Sequence, residues 1–380
     1  MSTSIGPEKP KRLKVAIVHY WLIEMRGGER IVETLGEMYP DAVIFTNVYD
    51  PARISASIRS HEVRTGFVNR LPRARQLLGF YLPLMPTALK RLDLSGFDLV
   101  ISIESGPAKG VKVPEGTPHL CICCSPMRYV WGMQQDYARH MGPVTRLLFS
   151  VAARYLRAWD RASARRVGHM VAISTEAAAR VRQIYGREVR ILHPPVDCSR
   201  FAPASRREDF YLLAGQLVPY KRPELAVEAC NRTGRRLVVI GEGELMERLR
   251  GMAGPTVSLM GWQPDDVLAD HYARCRALIF PGEEDFGIVP VEAMASGAPV
   301  IALKRGGALD TVIEGKTGSF FEEPSATSLV AAIERFERSD PGFEATQITA
   351  HAKTFDRSVF EEKIGTLIGE ILETLPSTTV

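Results

Sequence analysis

In the stretch PGEEDFGIVPVEAMASGAPVIA (281–302), Glu284 and Glu292 are separated by seven residues, with Phe286 and Gly287 on a turn between them. The apolar spacing predicts a helix from Val289, which puts Glu284 on the preceding loop and Glu292 in the first turns of the helix. Both carboxylates can then face one ligand. Carboxylates accept hydrogen bonds from the paired hydroxyls of a sugar, while the amides of Gly287, Ile288 and Val289 at the helix start suit a diphosphate. Compensation of the helix dipole is the plain structural alternative for Glu292, and the Gly-rich run SGAPVIA that follows weighs against it.

Two further clusters suit anions. GQLVPYKRPELAVEA (215–229) places Lys221 and Arg222 on a loop after a strand-like run and just before Pro223, a favoured first residue of a helix. A lysine there complements a bound phosphate by point charge, adding to the helix dipole. RGGER (26–30) sets Gly27 and Gly28 between a strand and a helix, where the backbone approaches a ligand closely and unpaired N–H groups meet an anion. Taken alone it is a turn signal. It lacks the G-x-G-x-x-G spacing, which argues against a dinucleotide-dependent dehydrogenase.

The elements that must hold these residues alternate. KVAIVHY (14–20), AVIFTNVY (42–49), DLVISIES (98–105), HLCICC (119–124), HMVAIS (169–174) and VRILHPPV (189–196) read as strands separated by helical or loop segments. Near residue 200 the run HPPVDCSRFAPASRRED loses its apolar period and reads as a linker. A second series follows: FYLLAG (210–215), RRLVVIGEG (235–243), TVSLMG (256–261), ALIFPG (277–282) and PVIAL (299–303), with helices from Pro223, Asp265 and Val289. Alternating strands and helices predict α/β domains with doubly wound parallel sheets. The expected division is a Rossmann-like domain over 1–200, a second over 201–355 facing it across a central cleft, and a C-terminal helix over 356–380 packing back on one of them, the first by preference.

Composition narrows the class. With 380 residues, 45% hydrophobic and 24% charged, and 31 Gly and 25 Pro without a period, the chain is a globular one of two domains. No window reaches the ~18 apolar residues of a membrane span, and MSTSIGPEKPKRLK lacks a signal-peptide core, so a cytoplasmic protein is expected. The six cysteines match neither a disulfide framework nor paired zinc ligands. They read as reduced thiols, with Cys121 and Cys123 packing on a buried strand. Residues 1–200 carry 29 Lys+Arg against 17 Asp+Glu, and residues 201–380 carry 19 against 27, so the halves are +12 and −8. A basic first half suits phosphates or a membrane surface, with a solvated basic face as the alternative. Two of its segments, RLPRARQLLGFYLPLMPTALKRL (70–92) and RLLFSVAARYLRAWDRASARR (146–166), set large apolar residues beside arginines, as in a surface meeting a bilayer or a lipid-linked substrate; ordinary core helices with an Arg face are the alternative.

Taken in order, GGER, LVPYKRP, EDFGIVPVEAMASGAPVIA and GG-x-x-D-x-V-x-x-G-x-T-G (306–318) make the chain resemble a family 4 glycosyltransferase of the GT-B fold, over almost its whole length. SPMRYVW (125–131) resembles the bacterial members that add mannose or related sugars from GDP-sugars to lipopolysaccharide or exopolysaccharide. The resemblance implies that Gly28, beside Gly27, gives a backbone contact to the donor, that Lys221 holds its diphosphate, that Glu284 binds the transferring sugar and Glu292 the ribose. Trp262, Gln263 and Asp266 fall where the family cradles the base, and Phe286, Gly287, Ile288 and Val289 complete the donor side. Cys124, Ser125, Arg128 and Tyr129 fall on the acceptor side, and Lys221, Glu284 and Arg128 are the implied catalytic residues.

The family implies retention of anomeric configuration with neither metal nor cofactor. The implied partners are a nucleotide sugar, a lipid-linked oligosaccharide or polysaccharide acceptor and the inner-membrane surface, with no nucleic acid. A UDP-sugar donor and a non-catalytic sugar-nucleotide-binding protein are the alternatives. The chain departs from the family pattern twice. Gln216 stands where an Arg is usual, leaving Arg222 or Arg305 as replacement cations, and Cys124 stands where relatives carry His, a loss of proton chemistry that His119 does not restore.

Overall fold

Thirteen short strands carry the fold of the computed structural model, which describes residues 12–132, 142–339 and 342–374. The first seven are β1 (Val15–His19), β2 (Val43–Thr46), β3 (Glu62–Thr65), β4 (Leu99–Glu104), β5 (His119–Cys123), β6 (His169–Ala172) and β7 (Arg190–Ile191). They form one sheet in the order β3-β2-β1-β4-β5-β6-β7, every pairing parallel. β1, β4 and β5 are buried along their whole length, as the middle of a sheet covered on both faces requires. The remaining six are β8 (Tyr211–Ala214), β9 (Leu237–Ile240), β10 (Val257–Gly261), β11 (Ala277–Phe280), β12 (Val300–Leu303) and β13 (Gly318–Phe321). Their order is β10-β9-β8-β11-β12-β13, again all parallel. The expected strand series is present, with two additions: β3, an edge strand of alternating exposure, and β13, whose Gly318 lets it lie against Val300.

The chain divides at different points from those the composition suggested. One unit takes the described residues up to Ile173, then Ala177–Leu192 and the residues from Lys363; the other takes Ser174–Glu176 and His193–Glu362. The linker expected near 200 therefore lies inside the second unit. Pro194 and Pro195 stop β7 after two residues, and the chain then bonds to the end of the same unit. The Val196 amide donates to the Phe355 carbonyl at 3.2 Å and the Cys198 amide to Asp356 Oδ1 at 3.1 Å. The C-terminal helix, expected over 356–380, runs Arg357–Glu373; residues 375–380 lie outside the described residues, as do residues 1–11. From Lys363 it counts with the first unit, where Glu370 pairs with Arg190 of β7 at 2.8 Å.

All six cysteines are free and buried, and burial pushes the Cys121 thiol up to about 12. The two basic, apolar segments share one core. Leu82, Met85 and Ala88 pack with Ala153, Leu156 and Trp159 of the Pro143–Ala164 helix. Among the described residues no helix is long and apolar enough to cross a membrane.

Candidate functional site

In a doubly wound sheet, ligands bind beyond the carboxyl ends of the strands at the point where strand order reverses, because the crossovers there run to opposite faces and leave a crevice. In the second unit that point lies between β8 and β11. The loops leaving those two strands are the ones that carry Lys221 and Glu284. Lys221 ends a single 3-10 turn (Pro219–Lys221), Arg222 adopts a left-handed conformation (φ 49°), and the helix Pro223–Thr233 starts behind it. Lys221 Nζ and Glu284 Oε1 form an ion pair at 2.9 Å, with about a fifth of each side chain exposed. Gly215, at φ 122°, leaves room for this lysine: a Cβ there would lie 3.4 Å from Lys221 Nζ.

The loop before Glu284 is held backbone against backbone. A Cβ at Gly282 would lie 2.8 Å from Lys221 Cα, and one at Gly306 would lie 2.4 Å from the Glu284 carbonyl oxygen. The Gly307 amide donates to that carbonyl at 2.8 Å. Glycine is therefore required by close approach at these positions, and the GG-x-x-D motif is read as a support for the Glu284 loop. Gly287 takes φ 89° and launches the helix Ile288–Ala295, whose first residues Ile288 and Val289 are half-buried. Glu292 accepts a hydrogen bond from the hydroxyl of the fully buried Tyr272 at 3.2 Å. Burial first, then the Glu292 charge, holds that phenol well above its ordinary range. Arg222 Nη1 and Glu224 Oε2 are buried without a hydrogen-bond partner among the described residues.

The other donor-side residues differ in what they offer. The Phe286 side chain is buried in an aromatic cluster with His193 and Phe355, ring centroids 5.4 and 5.6 Å away, so its backbone is what faces the loop. Trp262 is 67% exposed, Asp266 is exposed in the first turn of the helix Asp265–Arg274, and Gln263 donates to the Met260 carbonyl at 2.8 Å. Gln216 is half-buried on the loop after β8. Arg305, a candidate replacement cation, lies 3.8 Å from Glu323 at the surface.

In the first unit strand order reverses between β1 and β4. Gly27 and Gly28 follow β1 and open the helix Gly27–Met38. A Cβ on Gly28 would lie 3.1 Å from His19 Cε1. His19 Nε2 lies 3.3 Å from Glu29 Oε1, both side chains buried, while Glu29 Oε2 accepts from the Arg26 amide at 3.1 Å. His19 and Glu29 escape a reading of the sequence because a strand-end His and a helix-start Glu are each commonplace; only the strand-turn-helix return stacks them under Gly28.

Cys124 and Ser125 are buried just beyond β5, the Cys124 amide donating to the Glu104 carbonyl at 2.8 Å and Ser125 accepting from Arg180 at 3.3 Å. Arg128 and Tyr129 sit half-buried on the short helix Arg128–Trp131. That helix is anchored by a buried charge network with no local signature. Asp160 accepts from Trp131 Nε1 at 2.7 Å, from Tyr185 at 2.8 Å and from Lys109, whose ammonium also meets Glu104 at 2.9 Å. Burial outweighs the lysine and raises the Glu104 carboxyl to about 7.

Comparison with known proteins adds the family. Residues 199–353 match the family described as "Glycosyl transferases group 1". This stretch is a group 1 glycosyltransferase domain. It contains Lys221, Glu284 and Glu292 and excludes Gly28 and the Cys124–Tyr129 region.

A GDP-mannose-dependent alpha-(1-6)-phosphatidylinositol monomannoside mannosyltransferase of Mycolicibacterium smegmatis is 29% identical over 209 residues, 46% of this chain and 55% of the relative. The chain spans about half the length of the curated relatives it matches. Among solved structures, sucrose-phosphate synthase from Thermosynechococcus elongatus superposes with a TM-score of 0.72 at 19% identity, covering 95% of this chain and 100% of that one. HepE of Anabaena, in complex with UDP and glucose, gives 0.66 at 16%, covering 94% and 99%. With two parallel α/β sheets and these neighbours, the chain that carries the group 1 domain has the GT-B fold.

Proposed function

We propose that the protein is a retaining, metal-independent hexosyltransferase. It moves mannose from GDP-mannose to a lipid-linked oligosaccharide or polysaccharide acceptor in cell-surface glycan synthesis, in the cytoplasm at the inner-membrane surface. The observation that carries the reading is the Lys221–Glu284 pair, held at the switch point of the second sheet beside two helix starts. The GDP-mannose dependence of the Mycolicibacterium relative supports the choice of donor.

The chemical task is to break the bond between the anomeric carbon and the diphosphate oxygen while negative charge builds on the diphosphate. Lys221 and the amides at Ile288 and Val289 supply preorganised positive potential there, and such a donor is worth roughly 3 kcal/mol of the barrier. Glu284, which balances Lys221 before the donor arrives, turns to the hydroxyls of the transferring sugar, and Glu292 to the ribose. The acceptor oxygen bonds to the anomeric carbon on the face the diphosphate leaves. Its proton passes to a diphosphate oxygen, so no protein base is needed and Cys124 is no obstacle. Arg128 pairs with a phosphate of the acceptor or the donor.

The test is thermal stability against GDP-, UDP-, ADP- and dTDP-sugars. A ligand at 100 times its Kd stabilises by about 2.7 kcal/mol. GDP-mannose should raise Tm in the wild type and not in Lys221→Ala. A shift with UDP-sugars alone replaces the donor. A shift with no transfer or hydrolysis under any acceptor makes the chain a binding protein, and no shift with any sugar nucleotide refutes the reading.

A further inference from the structure

The Pro143–Ala164 helix has two unlike faces. Inward, Ala153, Leu156, Trp159, Asp160 and Ser163 are buried. Outward, Leu147 is 66% exposed, Leu148 65%, Val151 61% and Tyr155 47%, a spacing that keeps all four on one side of two turns. Large apolar side chains scattered singly over a surface need no explanation, but a run of them on one helix face does. The segment that touches this helix adds Phe80 at 71% and Leu84 at 42%.

Among the described residues of this helix and the segment beside it, the exposed charges are of one sign. Arg146 and Arg154 are exposed on the helix and Arg70 and Arg73 on the neighbouring segment. Residues 70–92 contain no carboxylate, and the helix contains one, Asp160, which is buried on Lys109, Trp131 and Tyr185. A second copy of the chain would set arginine against arginine here. An acidic protein surface would suit the positive charge and leave the leucines in water. An anionic bilayer satisfies both, since the apolar side chains enter the acyl boundary while guanidinium groups stay at the headgroups and Tyr and Phe lie between.

We infer that this helix face is a membrane-docking surface, lying in the plane of an anionic bilayer with Leu147, Leu148, Val151 and Tyr155 inserted. The inference rests on the membrane placement in the proposed function and names the surface that makes it, while the donor and catalysis do not enter it. Each arginine near such a surface contributes about fivefold to the partition, and salt screens that part while leaving the apolar part.

The test is co-sedimentation of the full chain with vesicles of phosphatidylcholine alone or with 30% phosphatidylglycerol. Wild type should bind the anionic vesicles at least tenfold more than the neutral ones. The triple variant L147E/L148E/V151E should lose at least tenfold, and R146S/R154S should lose on the order of 25-fold at low salt and less as salt rises. All three positions of the triple variant are exposed, so its Tm should match wild type and its donor-induced Tm shift should persist. That persistence separates failure here from failure of the donor site. Wild type that ignores anionic vesicles, or a triple variant that binds them fully, overturns the inference. So does a dimer in solution that the triple variant dissociates, which would assign the face to self-association.

Discussion

Replacing Gly307 by Ala tests whether backbone packing sets the position of Glu284. An added Cβ would lie 2.2 Å from Phe286 Cα and 2.3 Å from the Phe286 carbonyl oxygen. Carbon atoms in contact sit about 3.5–4.0 Å apart, so the two loops must separate by more than about 1 Å. Both clashing atoms are backbone, which has no rotamer to escape through. Gly307 itself has φ −66° and ψ −13°, ordinary for alanine, so the effect comes from the contact and not from backbone strain. Forcing such a clash costs roughly 1–3 kcal/mol of stability. The same movement breaks or stretches the 2.8 Å bond from the Gly307 amide to the Glu284 carbonyl and carries Glu284 away from Lys221. A 1 Å misplacement of a positioning group costs on the order of 10²-fold in rate.

The assay is nucleotide release under steady state, with Tm measured on the same preparation. Gly251→Ala serves as the control. That glycine lies in the helix Met246–Met252 with nothing within 4 Å of an added Cβ, and alanine there should gain up to about 1 kcal/mol. If Gly307→Ala keeps wild-type kcat/KM, the packing of the 306–307 turn on the 284–286 loop does not position the site, and the account of the Glu284 loop is wrong.

Two further outcomes concern the first unit. Asp160→Asn leaves the buried Lys109 with Glu104 as its remaining carboxylate and should cost about 3 kcal/mol or more, read as a fall in Tm or denaturant midpoint; an unchanged midpoint would mean that the network is dispensable. His119 is buried against Ser102 and held down to about 3 by burial, Lys109 and Arg166, so it stays neutral in the fold while the unfolded chain protonates near 6.5. Its contribution to stability is complete above pH 6.5 and is lost as pH falls towards 3, about 3 kcal/mol by pH 4.5. His119→Gln should flatten the loss of stability between pH 6.5 and 4.5 by that amount in denaturant titrations, and an unchanged slope would remove His119 as the cause.

Local residue pattern alone determined most of the strands and the parallel α/β class, and it singled out the lysine and the carboxylate that meet at the switch point of the second sheet. A buried parallel strand needs an unbroken apolar run, and LVPYKRP and the two glutamates spaced around a helix start keep both cation and carboxylates within one βα return each. What it left out had no local signal. β3 alternates at a sheet edge and β13 reads GSFF, neither a run that announces a strand. The boundary at 192–193 depends on Val196 and Cys198 bonding to residues about 160 positions later, which composition does not record.

The sheet order decided the rest. Placing β8 beside β11 brings Lys221 to 2.9 Å from Glu284, 63 positions later in the chain. Packing the Ala108–Gly110 turn that follows β4 against the Pro143–Ala164 helix buries Lys109 between Glu104 and Asp160. The arginine-rich segments had two readings in the sequence; in the fold one helix face is core, as the plainer reading has it, and the other exposes large apolar side chains. Periodicity reports that a helix has an apolar stripe. How wide a stripe the neighbours cover is a property of the packing, and that is where tertiary structure goes beyond the sequence.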